Sequence, residues 1–170
     1  MRLLARVGGP HAAVAVLTAI TALYLLLVVL GNVTDYETNH AFVQHVLAMD
    51  TTFQSPNTMW RSITSPTLVT VAYVAIILWE VVAAGVLVAG FASWLRVVFG
   101  GRDATTARLL STAGLLMVVL LFGGGFIAIG GEWFQMWQSK SWNGLQAALQ
   151  NFLVASVGLI LVQVLGRDRA

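Results

Sequence analysis

Glu80 is the residue whose type and place most demand chemistry. It stands inside the apolar run 70–90, TVAYVAIILWEVVAAGVLVAG. A charged side chain at the centre of a bilayer costs about 2.5–3.5 kcal/mol on insertion scales, so an acid there is either structural or functional by design. As a structural group it would hydrogen-bond a neighbouring helix. As a functional group it would hold a proton, a cation or a ligand. No second acid or base accompanies it within the apolar runs, which argues against a proton relay. Its expected partners are hydroxyl groups on other runs: Thr18, Thr21, Tyr24, Ser111, Thr112 and Ser156. By residue count Thr18, Thr21 and Ser156 lie nearest the middle, and they are favoured.

The other capable residues cluster in two polar islands. Residues 31–65 gather Asp35, Glu37, His40, His45, Asp50 and Arg61. Residues 130–144, GGEWFQMWQSKSWNG, add Glu132 and Lys140. His40 and His45 are five apart, about 140° around a helix, so they do not face one another as a ligand pair. His45, Met49 and Asp50 form a weak candidate metal set. Asp35, Glu37, Asp50 and Glu132 offer hard oxygens of the kind that suit calcium or magnesium, although no spacing enforces a site. The plainer reading makes the histidines polar interface residues. Asp50 is expected to pair with Arg61, the only Arg or Lys in its island. Trp60, Trp133, Trp137 and Trp142 read as an aromatic belt at headgroup level. Glu132 stands among them and can meet Arg61 or Lys140.

These residues need elements to hold them, and composition says which. The chain has 170 residues, 58% hydrophobic and 9% charged. A soluble domain carries roughly 25% charged residues, so the bilayer is the expected solvent. Four stretches reach the length of about 20 apolar residues that a span requires: 12–30, 67–94, 109–129 and 147–165. The expected fold is therefore all-α, a four-helix transmembrane bundle forming one integral membrane domain. Its two islands, 31–65 and 130–144, form a short-helix cap on one side. Within the cap, 39–50 reads as a helix with Phe42, Val43, Val46, Leu47 and Met49 on one arc. A second short helix is expected around 58–63.

Punctuation supports these limits. Ser65 before Pro66 suits a helix start. Asp103 and Asn143 are expected to cap the third and fourth spans, and Gly166 to stop the last. Gly85 with Ala89, and Gly124 with Ala128, are small-xxx-small pairs that suit close helix packing. Asn32-Val33-Thr34 spells a glycosylation acceptor, but it abuts the first span and is discounted.

Arg2, Arg6, Arg96, Arg102, Arg108, Arg167 and Arg169 lie on one side of the spans, and only Arg61 and Lys140 on the other. The positive-inside rule makes both termini cytoplasmic and the cap external. The run after Arg6 is longer than a signal-peptide core and no small-x-small cleavage site follows, so a retained anchor is expected. Cysteine is absent, which excludes disulfides and thiol chemistry. The basic residues flank spans rather than form a patch, so no nucleic-acid partner is expected. No nucleophile–base arrangement, zinc signature or cofactor fingerprint occurs, and no cofactor is expected.

The strings Asn32-Val33-Thr34-Asp35-Tyr36 with Asn39, Phe42-Val43-Gln44-His45-Val46 and Met49-Asp50-Thr51 resemble a bacterial family of predicted small integral membrane proteins of unknown function (the DUF2165 type). Trp60-Arg61-Ser62-Ile63, Trp79-Glu80, and Gly131-Glu132-Trp133-Phe134-Gln135-Met136-Trp137-Gln138-Ser139 with Trp142-Asn143-Gly144 look like the rest of its signature. The resemblance covers nearly the whole chain. It implies a four-span protein of the bacterial inner membrane and no particular activity. The leading expectation is a non-enzymatic accessory or interaction subunit, with lipids and other integral membrane proteins as partners. The alternative is a small cation-, proton- or lipophilic-ligand-binding or transport protein using Glu80, the cap carboxylates and His45. A third is a quinone- or haem-binding redox subunit.

Overall fold

The computed structural model describes residues 2–101 and 103–165, and among them every regular element is helical. The Arg2 side chain, Arg102, Gly166, Arg167 and Arg169 lie outside what is described. A short helix, α1 (Arg2–Val7), leads into α2 (Pro10–Thr34), then α3 (Tyr36–Ala48). After a loop containing a 3₁₀ turn at Met59–Arg61 come α4 (Pro66–Gly100) and α5 (Thr105–Val119). Helix α5 runs without a break into a π-helical stretch, Leu120–Trp133. A second 3₁₀ turn, Met136–Gln138, precedes α6 (Leu145–Leu165).

Four of these helices are long and apolar enough to cross a membrane: α2, α4, the continuous α5 with its π stretch, and α6. They pack in a ring, α2 on α4, α4 on α5, α5 on α6, and α6 back on α2. The chain alternates direction, so the ends of α1 and α6 share one face of the bundle. The two polar islands share the other, the cap end. The first span is longer than its apolar run suggested, continuing beyond Leu30 through Thr34. Helix α4 has 35 residues, roughly 50 Å at 1.5 Å each, so it outreaches a hydrocarbon core of about 30 Å.

Local chemistry explains several ends. Pro66 opens α4 as expected, with Ser65 at the N-cap. Asp103 Oδ1 accepts from the Thr105 backbone N–H at 3.1 Å, and Asn143 Oδ1 from that of Leu145 at 3.1 Å. Each lies one residue before the N-cap position and satisfies the N–H of its helix's first residue. Within the π stretch, Phe134 N–H reaches Ile129 oxygen five residues back at 3.0 Å. Such winding is rare beyond a single turn and is frequent at functional sites.

The core is built on small residues. Ala83, Ala84, Leu87, Gly90 and Trp94 form the buried face of α4. A Cβ on Gly114 would stand 2.6 Å from Leu87 Cγ, and one on Gly90 would stand 2.9 Å from Ser111 Oγ. Here the backbones approach closely because nothing larger than hydrogen fits. The expected small pairs are not these. Gly85 and Ala89 lie on the opposite face of α4 and are exposed, and a Cβ on Gly85 or Gly124 would meet nothing within 4 Å. The reason is phase. The heavy residues Leu87 and Trp94 select the inward arc, and Gly85 falls outside it.

Polar side chains tie this core together at the terminal end. Ser111 Oγ accepts from the Trp94 indole N–H at 2.9 Å and pairs with the Thr18 hydroxyl at 3.3 Å. All three residues are essentially buried. Gln163 Nε2 donates to Thr112 Oγ1 at 2.7 Å, joining α6 to α5. Ser111→Ala leaves the buried Trp94 indole without an acceptor. It should destabilise the protein by about 1–3 kcal/mol, measured by thermal or denaturant unfolding in detergent, with helix content unchanged.

Candidate functional site

Helix α4 places Tyr73 and Glu80 seven residues apart, two turns along one face. Both point into the bundle in its cap half and are almost fully buried, Glu80 at 3% exposure. Helix α2 runs antiparallel alongside. Because Thr18 meets Ser111 and Trp94 near the terminal end, Glu80 falls opposite the last turn of α2. Asn32 stands there, and its Nδ2 donates to Glu80 Oε2 at 2.7 Å. Asn39, on α3, donates in turn to Asn32 Oδ1 at 2.7 Å. The Tyr73 hydroxyl lies 3.2 Å from the Asn32 backbone oxygen and 3.4 Å from Oδ1. The donors thus run in one direction, Asn39 to Asn32 to Glu80, and the carboxyl is the terminal acceptor. Glu80 Oε1 has no hydrogen-bond partner among the described residues.

Glu80 faces the bundle, as its depth required. Its partner is not among the expected hydroxyls. Thr21 bonds its own helix at Leu17 oxygen, and Thr18 is occupied one level lower. Glu80 is the fifteenth of the 35 residues of α4, near its middle, yet level with a residue that hydropathy alone assigns to the loop. The glycosylation string is likewise excluded by structure, because Asn32 is helical and buried.

A cavity of about 260 Å³ opens beside Glu80. Asn32, Asn39 and Tyr73 line one wall with it, and Tyr24 and Asn151 contribute polar groups across the space. Asn151 Nδ2 donates to the Tyr24 hydroxyl at 2.9 Å, which joins α6 to α2. A second cavity of about 210 Å³ abuts the first and shares Phe42, Val43, Ile76 and Phe126 with it. Its lining side chains are all apolar, and Gly125 and Gly130 of the π stretch are among its walls.

The cap residues are arranged differently from the expected scheme. The islands do meet: Thr51 Oγ1 donates to Ser139 Oγ at 2.8 Å, Phe53 N–H to Gln138 Oε1 at 2.8 Å, and Thr58 Oγ1 to Gln135 Oε1 at 3.1 Å. Asp50, however, pairs with His45 at 2.7 Å and not with Arg61. Met49 ends α3 in the left-handed region at φ 55°, and the chain's reversal there leaves Asp50 against the last turn of the same helix. Arg61 instead lies over the rings of Trp133 and Trp60, 4.7 and 5.5 Å from their centroids, and its Nη1 reaches Trp133 oxygen at 3.4 Å. A guanidinium between indoles is held by cation–π attraction without a carboxylate.

The other sequence candidates are scattered. The His45 ring stacks on Trp142 at 4.4 Å, whereas His40 meets Thr70 Oγ1 at 3.2 Å. Met49 is fully buried while Asp50 is exposed, so the suggested metal trio does not share a surface. Asp35 is exposed and accepts from Thr38 Oγ1 at 3.0 Å. Glu132 is exposed and makes no ion pair with Arg61 or Lys140. Among the described residues no three of His, Asp or Glu gather as a metal ion would need. Trp60, Trp133 and Trp137 expose 70%, 45% and 48% of their surface, as a headgroup belt does, while Trp142 is held against His45.

One family model, described as predicted small integral membrane protein (DUF2165), matches residues 11–165. The chain belongs to this family. No curated protein and no solved structure matches it. For this DUF2165 chain, the strings quoted from the sequence fall mainly on the cap and on the Glu80 network. Asn32, Asn39, Tyr73 and Asn151 carry the site but were not singled out as site residues from sequence. One signal was there to be used: Asn32 and Asn39 are seven apart, the spacing of one helical face, and only the short break at Asp35 separates α2 from α3.

Substitution at Glu80 separates shape from charge. Glu80→Gln can still accept from Asn32 Nδ2 and should retain stability. Glu80→Leu leaves the buried Asn32 amide unpaired and should cost about 1–3 kcal/mol, read as a lowered unfolding midpoint in detergent.

Proposed function

We propose that this integral membrane protein binds a lipophilic molecule whose head group donates a hydrogen bond to Glu80. The observation that carries the reading is the free Oε1 of Glu80 on the wall of a cavity otherwise lined by apolar and amide or hydroxyl groups. Ligand sites are concave, mostly apolar, and fixed in orientation by a few polar groups. The Asn39–Asn32–Glu80 chain supplies that fixing, because its donors already satisfy Oε2 and leave Oε1 as the acceptor. A hydroxyl or ammonium head can donate to it.

Protein extracted in mild detergent should carry a lipophilic adduct visible by native mass spectrometry, and Glu80→Leu should lose it. Glu80→Gln turns its amide nitrogen toward the cavity if its oxygen keeps Asn32. A donor-only ammonium head is then rejected, while a hydroxyl head, which also accepts, is retained. An adduct that survives Glu80→Leu unchanged would refute this reading.

A second reading is an accessory subunit of a larger complex in a bacterial inner membrane. What favours it is the outward pair Gly85 and Ala89 on α4, a small-residue surface open to another helix. Either reading places the cap outside and both termini in the cytoplasm, on the strength of the Arg and Lys asymmetry. Cysteines introduced at the exposed positions Asn57 and Lys140 should react with an impermeant maleimide on intact cells, and one at Gly101 should not. The opposite pattern would invert the orientation.

A further inference from the structure

The two cavities differ in kind. All the polar side chains lie in the Glu80 chamber, and none lies in its neighbour. The side chains common to both are Phe42, Val43, Ile76 and Phe126. The rings of Phe42 and Phe126 stand across this boundary with centroids 6.4 Å apart and planes 19° from parallel. We propose that the chambers are two halves of one site, that its ligand carries a donor head and an unbranched apolar arm, and that Phe42 is the partition that decides how long an arm is admitted. This rests on the binding reading of Glu80 and names the class and the selecting residue.

Packing sets Phe42 apart from Val43 and Phe126. Val43 is one of the buried residues anchoring α3 on α4, beside Val69 and Tyr73, and is committed to packing. Phe126 belongs to the π stretch and stacks on Phe122 at 5.4 Å. Phe42 is only partly buried, and the tip of its ring lies against Gly144, which lines the Glu80 chamber. A Cβ on Gly144 would stand 2.9 Å from Phe42 Cζ, so the bare glycine leaves room for the tip of this ring. On the far side, Gly125 and Gly130 leave room that larger residues would fill. A ring change at Phe42 therefore alters the passage without touching any polar group of the Glu80 chamber's hydrogen-bond chain.

The test uses the full-length protein in lipid nanodiscs, with hexanol and dodecanol as probes and direct titration as the readout. Phe42→Trp should weaken dodecanol by about tenfold, the loss of roughly two buried methylenes, and leave hexanol within about twofold. Phe42→Ala should strengthen dodecanol relative to hexanol. Glu80→Leu should weaken both. Gly144→Ala displaces the tip of the Phe42 ring, which the added methyl would meet at 2.9 Å, and should also change the dodecanol-to-hexanol ratio, so the result does not hang on one variant folding. If Glu80→Leu weakens both alcohols but neither Phe42→Trp nor Gly144→Ala discriminates between them, the partition is overturned and the binding reading stands. If Glu80→Leu changes neither alcohol, the binding reading falls and the partition with it.

Discussion

The hydrogen bond from Asn32 to Glu80 is the contact on which the cap half of this molecule depends. An acid inside an apolar bundle must find a donor or be excluded from the fold. Meeting that need requires α2 to stay helical past its last apolar residues, so that Asn32 can arrive level with Glu80. It also requires α3 to fold back over the bundle, because Asn39 orients Asn32. Tyr73 completes the arrangement from the same face of α4. A single carboxyl thus couples three helices. The cavity beside it exists because these polar side chains hold the helices at a set separation while small residues and rings line the rest.

The terminal half solves the same problem with hydroxyls. Ser111, Thr18 and Trp94 join three helices where glycine and alanine bring the backbones together. Two polar nodes at two depths therefore fix the register of α2 against α4. Between them no side-chain hydrogen bond joins α2 to α4 among the described residues, and the contact of these two helices rests on dispersion, which is individually weak and tolerant of sliding. Polar contacts in a membrane bundle contribute specificity as much as stability, since lipid competes with the apolar contacts but not with these.

Much of this architecture was readable in advance, and the failures share a cause. Run length and the polar islands revealed four spans and one cap, because hydrocarbon thickness leaves little choice. Glu80 had to face inward on the same ground. Its partner was misplaced because hydropathy ends a span where polar residues begin, whereas a helix ends where its hydrogen bonds do. Asn32 lies in the gap between those two definitions. Asp50 was assigned to Arg61 by charge alone. The left-handed turn at Met49 and the indole pair around Arg61 are three-dimensional facts that charge counting does not contain. The small-residue pairs were read from spacing, but spacing does not say which way a face points. The π winding of 120–133 had its glycines as a hint and nothing that fixed the pitch.

That winding has a consequence for how the chain can vary in length. A segment with i→i+5 bonds holds more residues per turn than the α-helix leading into it. Deletion of one residue within 120–133 lets a turn revert to the ordinary pattern, absorbing the loss locally. The same deletion in α4 would rotate everything beyond it by about 100° and tear Glu80 from Asn32. Homologous chains are therefore expected to differ in length here first, and the π stretch acts as an expansion joint between a rigid bundle and the cap it carries.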